Sequence, residues 1–259
     1  MPKRVAVVTG ASRGVGKGIA IELCEAQFVV YITGRSANEM AYIRGGGTAI
    51  QCDHRDDRQV EQAFGRIVEE QGRIDVLVNN AWGGYMNMIE DGQYTWHRPF
   101  WEQPVWRWDA MFHAGVRAAY VASRLAVPSM VAQRSGLIVN LSHWAAQKHV
   151  ANVSYGVAKA ATDKLTADAA HELRDHNVAV MSLYPGLVRT EKVMAAAQWL
   201  DLSNSESPRF VGRAVAALAN DSNIMDRSGR VFVAAALAEE YGFTDPDGNT
   251  PRPLTLAEA

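Results

Sequence analysis

The stretch that most constrains this chain is its opening. A short apolar run, Val5-Ala6-Val7-Val8, breaks at once into Thr9-Gly10-Ala11-Ser12-Arg13-Gly14-Val15-Gly16. A segment with Ile19, Ala20, Leu23 and Cys24 at helical spacing follows. Strand, glycine-rich turn and helix in that order present bare backbone at a helix N-terminus. The glycines allow a tight turn and close approach of N–H groups, and the helix dipole favours an anion there. The spacing is Gly-x-x-x-Gly-x-Gly, not the Gly-x-Gly-x-x-Gly of other dinucleotide folds. Its flanks set it apart from a chance glycine cluster, so the loop reads as a pyrophosphate site. Gly10, Ser12, Arg13, Gly14, Val15 and Gly16 are the expected contacts.

The alternation then continues. Further strands are predicted at 28–32, 48–52, 74–78, 137–141, 178–183 and 230–233, with a Gly45-Gly46-Gly47 turn before the third strand of the chain. Helices are predicted at 57–71, where Val60, Phe64, Ile67 and Val68 share one side, at 111–133, from the region of Tyr155 to about His176, and at 210–219. Strands alternating with helices give an α/β fold, a Rossmann-like doubly wound parallel sheet with helices on both faces. One domain over 1–259 is expected. Ligands in such sheets lie outside the carboxyl ends of the strands, where Thr9, Arg35, Asp53, Asn80 and Ser142 all fall.

The second strand ends Thr33-Gly34-Arg35-Ser36, and no acid appears before Glu39. An acid here would hold the ribose hydroxyls of NAD. Arg35, with Arg13 in the glycine loop, favours a 2′-phosphate instead, so NADPH or NADP is expected and NAD is the lesser alternative. The formal net charge of −2 argues against nucleic-acid or membrane partners. No apolar run is long enough to span a bilayer or to serve as a signal peptide. Cys24 and Cys52 read as small buried residues, not a disulfide or metal pair, and a reducing cytoplasm is the expected setting.

Tyr155 and Lys159 stand four apart at the start of an alanine-rich helix, hence on one face. An ammonium beside a phenol is expected to lower the phenol's pKa. By itself Tyr-x-x-x-Lys is usually surface decoration. Here it follows the apolar run 137–141 and Ser142, whose hydroxyl at the strand end can polarise the same substrate oxygen.

Taken together, these residues resemble the short-chain dehydrogenase/reductase family. Thr9-Gly10-x-x-x-Gly14-x-Gly16 matches its cofactor loop, Asn79-Asn80-Ala81 its Asn-Asn-Ala-Gly motif, and Tyr155-x-x-x-Lys159 its active site. Pro185-Gly186 with Val188-x-Thr190 matches its nicotinamide-side loop. Phe100-Trp101-Glu102-Gln103-Pro104 and Ala170-His171-Glu172-Leu173-Arg174 look like a narrower subgroup, dehydrogenase/reductase member one of the family. The resemblance implies that Asp53 contacts the adenine. It implies that Asn80, Ala81, Pro185, Gly186, Val188 and Thr190 bind cofactor, and that Lys159 and Tyr155 do so at the nicotinamide ribose. It further implies a homo-oligomer, dimer or tetramer, packed through the alanine-rich helix.

The chain departs from the family at three places. Trp82 replaces the last glycine of Asn-Asn-Ala-Gly and opens an aromatic insertion, 82–108, of which two or three rings are expected to reach substrate. Gly115 stands where the resemblance implies a helix asparagine that holds a proton-relay water; either the relay is built differently, with His113 as one candidate although a helix histidine is more often packed or on the surface, or the enzyme is slow. For the catalytic serine, the usual separation of thirteen from the tyrosine selects Ser142, whereas the strand register selects His143. Ser142 is preferred because it supplies a hydroxyl. A polar segment at 190–208 is expected to form a lid. The reading is an NADPH-dependent reductase taking a small, apolar carbonyl substrate to its alcohol reversibly, with Ser142, Tyr155 and Lys159 as catalytic residues. An NAD-dependent alcohol dehydrogenase and a cofactor-sensing binding protein are the alternatives.

Overall fold

The computed structural model describes residues 3–36, 47–85, 88–91, 93–195 and 197–258. Gly45 and Gly46 of the predicted turn, Glu39, and Met86 of the insertion lie outside them. In chain order the elements begin β1 (Val5–Val8), α1 (Gly14–Glu25), β2 (Val29–Gly34), β3 (Thr48–Gln51), α2 (Asp57–Gln71) and β4 (Val76–Asn79). The insertion holds a two-stranded hairpin, β5 (Ile89–Glu90) and β6 (Gln93–Tyr94), before α3 (Val105–Met111) and α4 (Ala118–Gln133). The rest is β7 (Gly136–Leu141), α5 (Val153–Leu173), β8 (Val178–Tyr184), β9 (Leu187–Val188), α6 (Glu191–Ala195), β10 (Ser205–Glu206), α7 (Pro208–Asn220), β11 (Val231–Val233) and α8 (Ala234–Tyr241).

Seven strands form one parallel sheet in the order β11-β8-β7-β4-β1-β2-β3. Strand β1 is apolar throughout because helices cover both of its faces. Val5 and Val7 point into a core with Phe64, Ile67 and Met130, while Ala6 and Val8 point into another with Ile19, Leu23, Phe210 and Leu218. Fully burying one such large side chain contributes about 1.5–3 kcal/mol. Cover on both faces likewise makes β7 and β8 apolar except at Asn140 and Ser182.

One polar ladder crosses this apolar interior. Asn79 on β4 donates to Asn140 Oδ1 on β7 at 2.8 Å, and Asn140 donates to Thr166 Oγ1 on α5 at 2.8 Å. Thr166 in turn meets Ser182 on β8 at 2.9 Å. Partnered this way, the amides fix the register of three strands against α5. That register brings the residues after Val8, Asn79 and Leu141 to one edge.

Three predicted boundaries change. The helix expected at 111–133 begins at Val105 and passes through a π-helical stretch at Phe112–Arg117. The segment 190–208 is not irregular throughout: it contains α6, and β10 pairs in parallel with β9. Helix α8, which no predicted element covers, follows β11 directly, and the segment after it, from Asp245, folds back. Asp245 is buried, paired with Arg189 at 2.9 Å and hydrogen-bonded to Ser207.

Candidate active site

The glycine loop and the end of β4 are fitted to each other. Asn80 donates from Nδ2 to the carbonyls of Thr9 and Gly10, at 3.0 and 2.9 Å. The backbone N–H groups of Asn80 and Ala81 both donate to Thr9 Oγ1. A side chain on Gly16 would collide with Asn80 Nδ2, and Cβ on Gly10, at φ +65°, would come 2.7 Å from Ala81 Cα. The glycines therefore serve packing as well as turning. Gly14 lies at φ +57° against Thr190, and Val15 packs on the adjoining core. Ser12 is half-buried and Arg13, at the N-cap of α1, is exposed.

An anion already sits at this helix N-terminus. The Glu191 carboxylate, from α6, accepts from Gly14 N–H at 3.1 Å. Cations gather nearby: Lys192 has its ammonium pKa lowered by burial and then by the charges of Arg13 and Arg35. Asp53 is held below the usual carboxylate range by Arg55, which bonds it at 2.6 Å. Neither Glu191 nor Lys192 stood out in the sequence, because the loop after β8 gives no hint of where its side chains land.

Helix α5 presents the proposed acid. Asn152 caps it, accepting from Tyr155 N–H at 2.9 Å, and also donates to the Trp96 carbonyl of the insertion. Tyr155 and Lys159 are both buried on one face of the helix. Four rings surround the phenol: Trp82, Tyr85, Trp96 and His143, with centroids 5.4–6.1 Å away. Tyr85 Oη lies 3.1 Å from Tyr155 Oη. The expectation that two or three aromatics of the insertion reach the site thus has Trp82, Tyr85 and Trp96 beside the tyrosine, while Phe100 and Trp101 point outward, 60% and 73% exposed. Arg107, fully buried, holds the insertion together through Thr95, Gln103 and the Trp96 ring.

The expected lowering of the Tyr155 pKa is not what this geometry gives. Burial pushes the phenol well above its ordinary value, and Tyr85 adds to the rise. Lys159 Nζ donates to the Leu141 carbonyl at 3.1 Å and sits 4.0 Å from the Trp82 ring centroid. Burial lowers the Lys159 ammonium to about 8. Trp82 is thus the nearest ring to the lysine, and its Nε1–H is buried with no partner among the described residues.

Ser142 and His143 separate sharply. Ser142 is buried, and its hydroxyl donates to the Lys159 carbonyl at 3.3 Å. His143 is the residue whose ring meets Tyr155. The ring beside the tyrosine is thus carried by the residue that the strand register selects, not by the one that spacing selects. On the far side, Pro185 and Gly186 follow β8, Val188 is buried in β9, and Gly186 lies against Glu206, a buried carboxyl that sequence reading missed. Burial raises Glu206 to about 8. His113, in the π-helical stretch, shows no contact with this cluster among the described residues.

A short chain dehydrogenase family model matches residues 4–201. This chain belongs to that family. It is 42% identical to mouse dehydrogenase/reductase SDR family member 1 over 269 residues, covering 96% of this chain and 85% of that protein. It is 32% identical over 192 residues to a 3-oxoacyl-[acyl-carrier-protein] reductase of Staphylococcus aureus, covering 71% and 74%. Among solved structures, a metagenomic short-chain oxidoreductase in complex with NADP superposes with TM-score 0.72 at 29% identity over 90% of this chain and 96% of that one. ElxO with NADP bound gives 0.77 at 25% identity over 90% and 97%. The chain is therefore an oxidoreductase of the short-chain dehydrogenase family. Among the described residues no helix is long and apolar enough to cross a membrane.

Proposed function

We propose that this oxidoreductase uses NADPH to reduce a ketone or aldehyde of a small, apolar substrate to the alcohol, reversibly. The observation that carries the reading is Tyr155 and Lys159 buried on one face of α5, at the same carboxyl edge of the sheet where the glycine loop follows β1. The loop's fit to a dinucleotide is supported by Glu191, whose carboxylate occupies the anion position at Gly14. Gly10, Ser12, Arg13, Gly14, Val15 and Gly16 would hold the pyrophosphate side, Arg35 a 2′-phosphate and Asp53 the adenine. Asn80, Ala81, Lys159, Pro185, Gly186, Val188 and Thr190 would line the nicotinamide side. Two of the structural relatives are NADP complexes, which agrees with this assignment.

Held by these residues, NADPH would supply the hydride for the carbonyl carbon. As the C=O π pair withdraws onto oxygen, Tyr155 donates its phenolic proton to that oxygen, acting as general acid. Its raised pKa keeps the proton in place until charge develops. The Lys159 ammonium, still charged at neutral pH, offsets the phenolate left behind, and Tyr85 shares that charge through its hydroxyl. Trp82, Tyr85 and Trp96 give the site an apolar wall that suits an apolar substrate. Segment 190–208 would act as lid, since Lys192 reaches the Tyr85 carbonyl of the insertion at 3.2 Å. The alanine-rich α5 is the natural subunit contact of a homo-oligomer, and two unpaired thiols, Cys24 and Cys52, suit a reducing cytoplasm.

The test is cofactor consumption by the purified protein over a size series of aldehydes and ketones, with NADPH and with NADH. The reading expects NADPH oxidation with kcat/KM rising toward bulky apolar carbonyls. Preference for NADH, or tight NADPH binding without turnover of any carbonyl, would contradict it.

A further inference from the structure

The hydroxyl that spacing assigned to the substrate is already committed. Ser142 Oγ donates to the Lys159 carbonyl, so its single proton is spent within the fold. The next residue, His143, leaves β7 toward the other side, and its ring lies 5.4 Å from the Tyr155 ring at a tilt of 49°. Its protonation follows from one contact. The Ala145 backbone N–H, which can only donate, points at His143 Nδ1 at 3.0 Å. Nδ1 must therefore be bare, and the ring proton of the neutral imidazole sits on Nε2. Among the described residues nothing accepts that Nε2–H. Burial and the Lys159 charge hold the imidazole neutral down to about 4.

We propose that His143 Nε2–H donates a hydrogen bond to the carbonyl oxygen that Tyr155 protonates. His143 is then a catalytic residue, and Ser142 a positioning residue that fixes the Lys159 backbone. The inference rests on the carbonyl-reductase reading. Atoms balance without a second proton donor: the carbon gains the hydride, the oxygen gains the Tyr155 proton, and His143 keeps its own. A neutral imidazole is a weak acid but a competent donor to a developing alkoxide, which is the role required here. Because the donor is fixed in direction by Ala145, it is in place before charge develops.

The test combines kinetics with a measurement independent of turnover. Nitrogen NMR of protein labelled at histidine should show His143 as the neutral Nε2–H tautomer from pH 5 to 8, with the Nε2 signal moving when an alcohol product is added to the NADP-loaded protein. His143→Ala should lower kcat roughly 100-fold or more, the cost typical of a lost oxyanion donor, with the Kd for NADPH and the melting temperature near wild type. Added imidazole should restore part of the rate, and His143→Gln, which keeps an N–H, should lose less. Ser142→Ala should cost less than His143→Ala. An Nδ1–H tautomer, an unmoved Nε2 signal, or greater damage from Ser142→Ala would overturn the assignment while leaving carbonyl reduction intact. A wild type that reduces no carbonyl, with Tyr155→Phe indistinguishable from it, would remove the underlying reading.

Discussion

The Trp82 indole fills the space that a side chain on Gly115 would occupy: Cβ at 115 would come 2.5 Å from the ring carbon Cζ3. Trp82 and Gly115, two positions singled out separately in the sequence, are thus one feature. A tryptophan at 82, packed this way, needs a glycine at 115. The indole so placed covers Lys159 with its face and meets the Tyr155 ring in a T-shaped contact.

Gly115→Ala should therefore overpack this contact and destabilise the protein by about 1–3 kcal/mol. Trp82→Ala should be costly alone, and the double variant should lose less than the sum of the two. Chemical denaturation of the four proteins measures the coupling. Strict additivity would show that the ring and the glycine are independent.

Glu191 and Arg35 should act on cofactor affinity with opposite signs. Glu191→Gln removes the carboxylate that competes at Gly14, so both NADPH and NADH should bind roughly 2–5-fold tighter, the size of a charge effect at a helix end. Arg35→Ala should weaken NADPH alone, by roughly 10–100-fold, the size of a charge-assisted hydrogen bond. Fluorescence titration with each cofactor separates the two. Equal losses of NADPH and NADH in the arginine variant would show that Arg35 does not read the 2′-phosphate.

The reduction rate should hold from about pH 6 to 8 and fall above it. The ammonium of Lys159 is lowered to about 8, so it is lost as pH rises through that value, and with it the charge that offsets the Tyr155 phenolate. Tyr155 itself stays protonated, since burial raises it. The pH profile of kcat should show this limb, and Lys159→Met should be slow and lack it. A limb beginning only near the ordinary lysine value would contradict the assignment.

Glu206 makes stability fall as the solution becomes more alkaline. Its carboxyl is raised from 4.5 to about 8, so between those values the folded chain holds a proton that the unfolded chain releases. The stabilisation is complete below about 4.5 and is lost as pH rises toward 8. Melting temperatures of wild type should decline across that window, and Glu206→Gln should flatten the decline. Parallel curves would place the effect elsewhere.

The sheet and the glycine loop were legible because each depends on residues close in sequence: an apolar run, a turn, and a helix face. The Tyr155–Lys159 pair was legible for the same reason, as one helical turn fixes its geometry. The choice between Ser142 and His143 was not. Adjacent residues leaving a strand point to opposite sides, and nothing local says which side faces Tyr155. The Trp82–Gly115 fit escaped reading because it joins distant segments by shape alone. The sign of the Tyr155 shift was misjudged because the sequence showed the lysine but not the four rings that bury the phenol. Helix α8 was missed where Ala234-Ala235-Ala236-Leu237 simply extends the apolar run of β11.

The central claim is that Tyr155 supplies the proton. Its most direct test is single-turnover reduction of a ketone by Tyr155→Phe protein preloaded with NADPH. The account predicts a rate lowered by about 10²–10⁴-fold, with NADPH affinity and melting temperature near wild type. A variant that keeps more than about a tenth of the wild-type rate would show that the proton comes from another group.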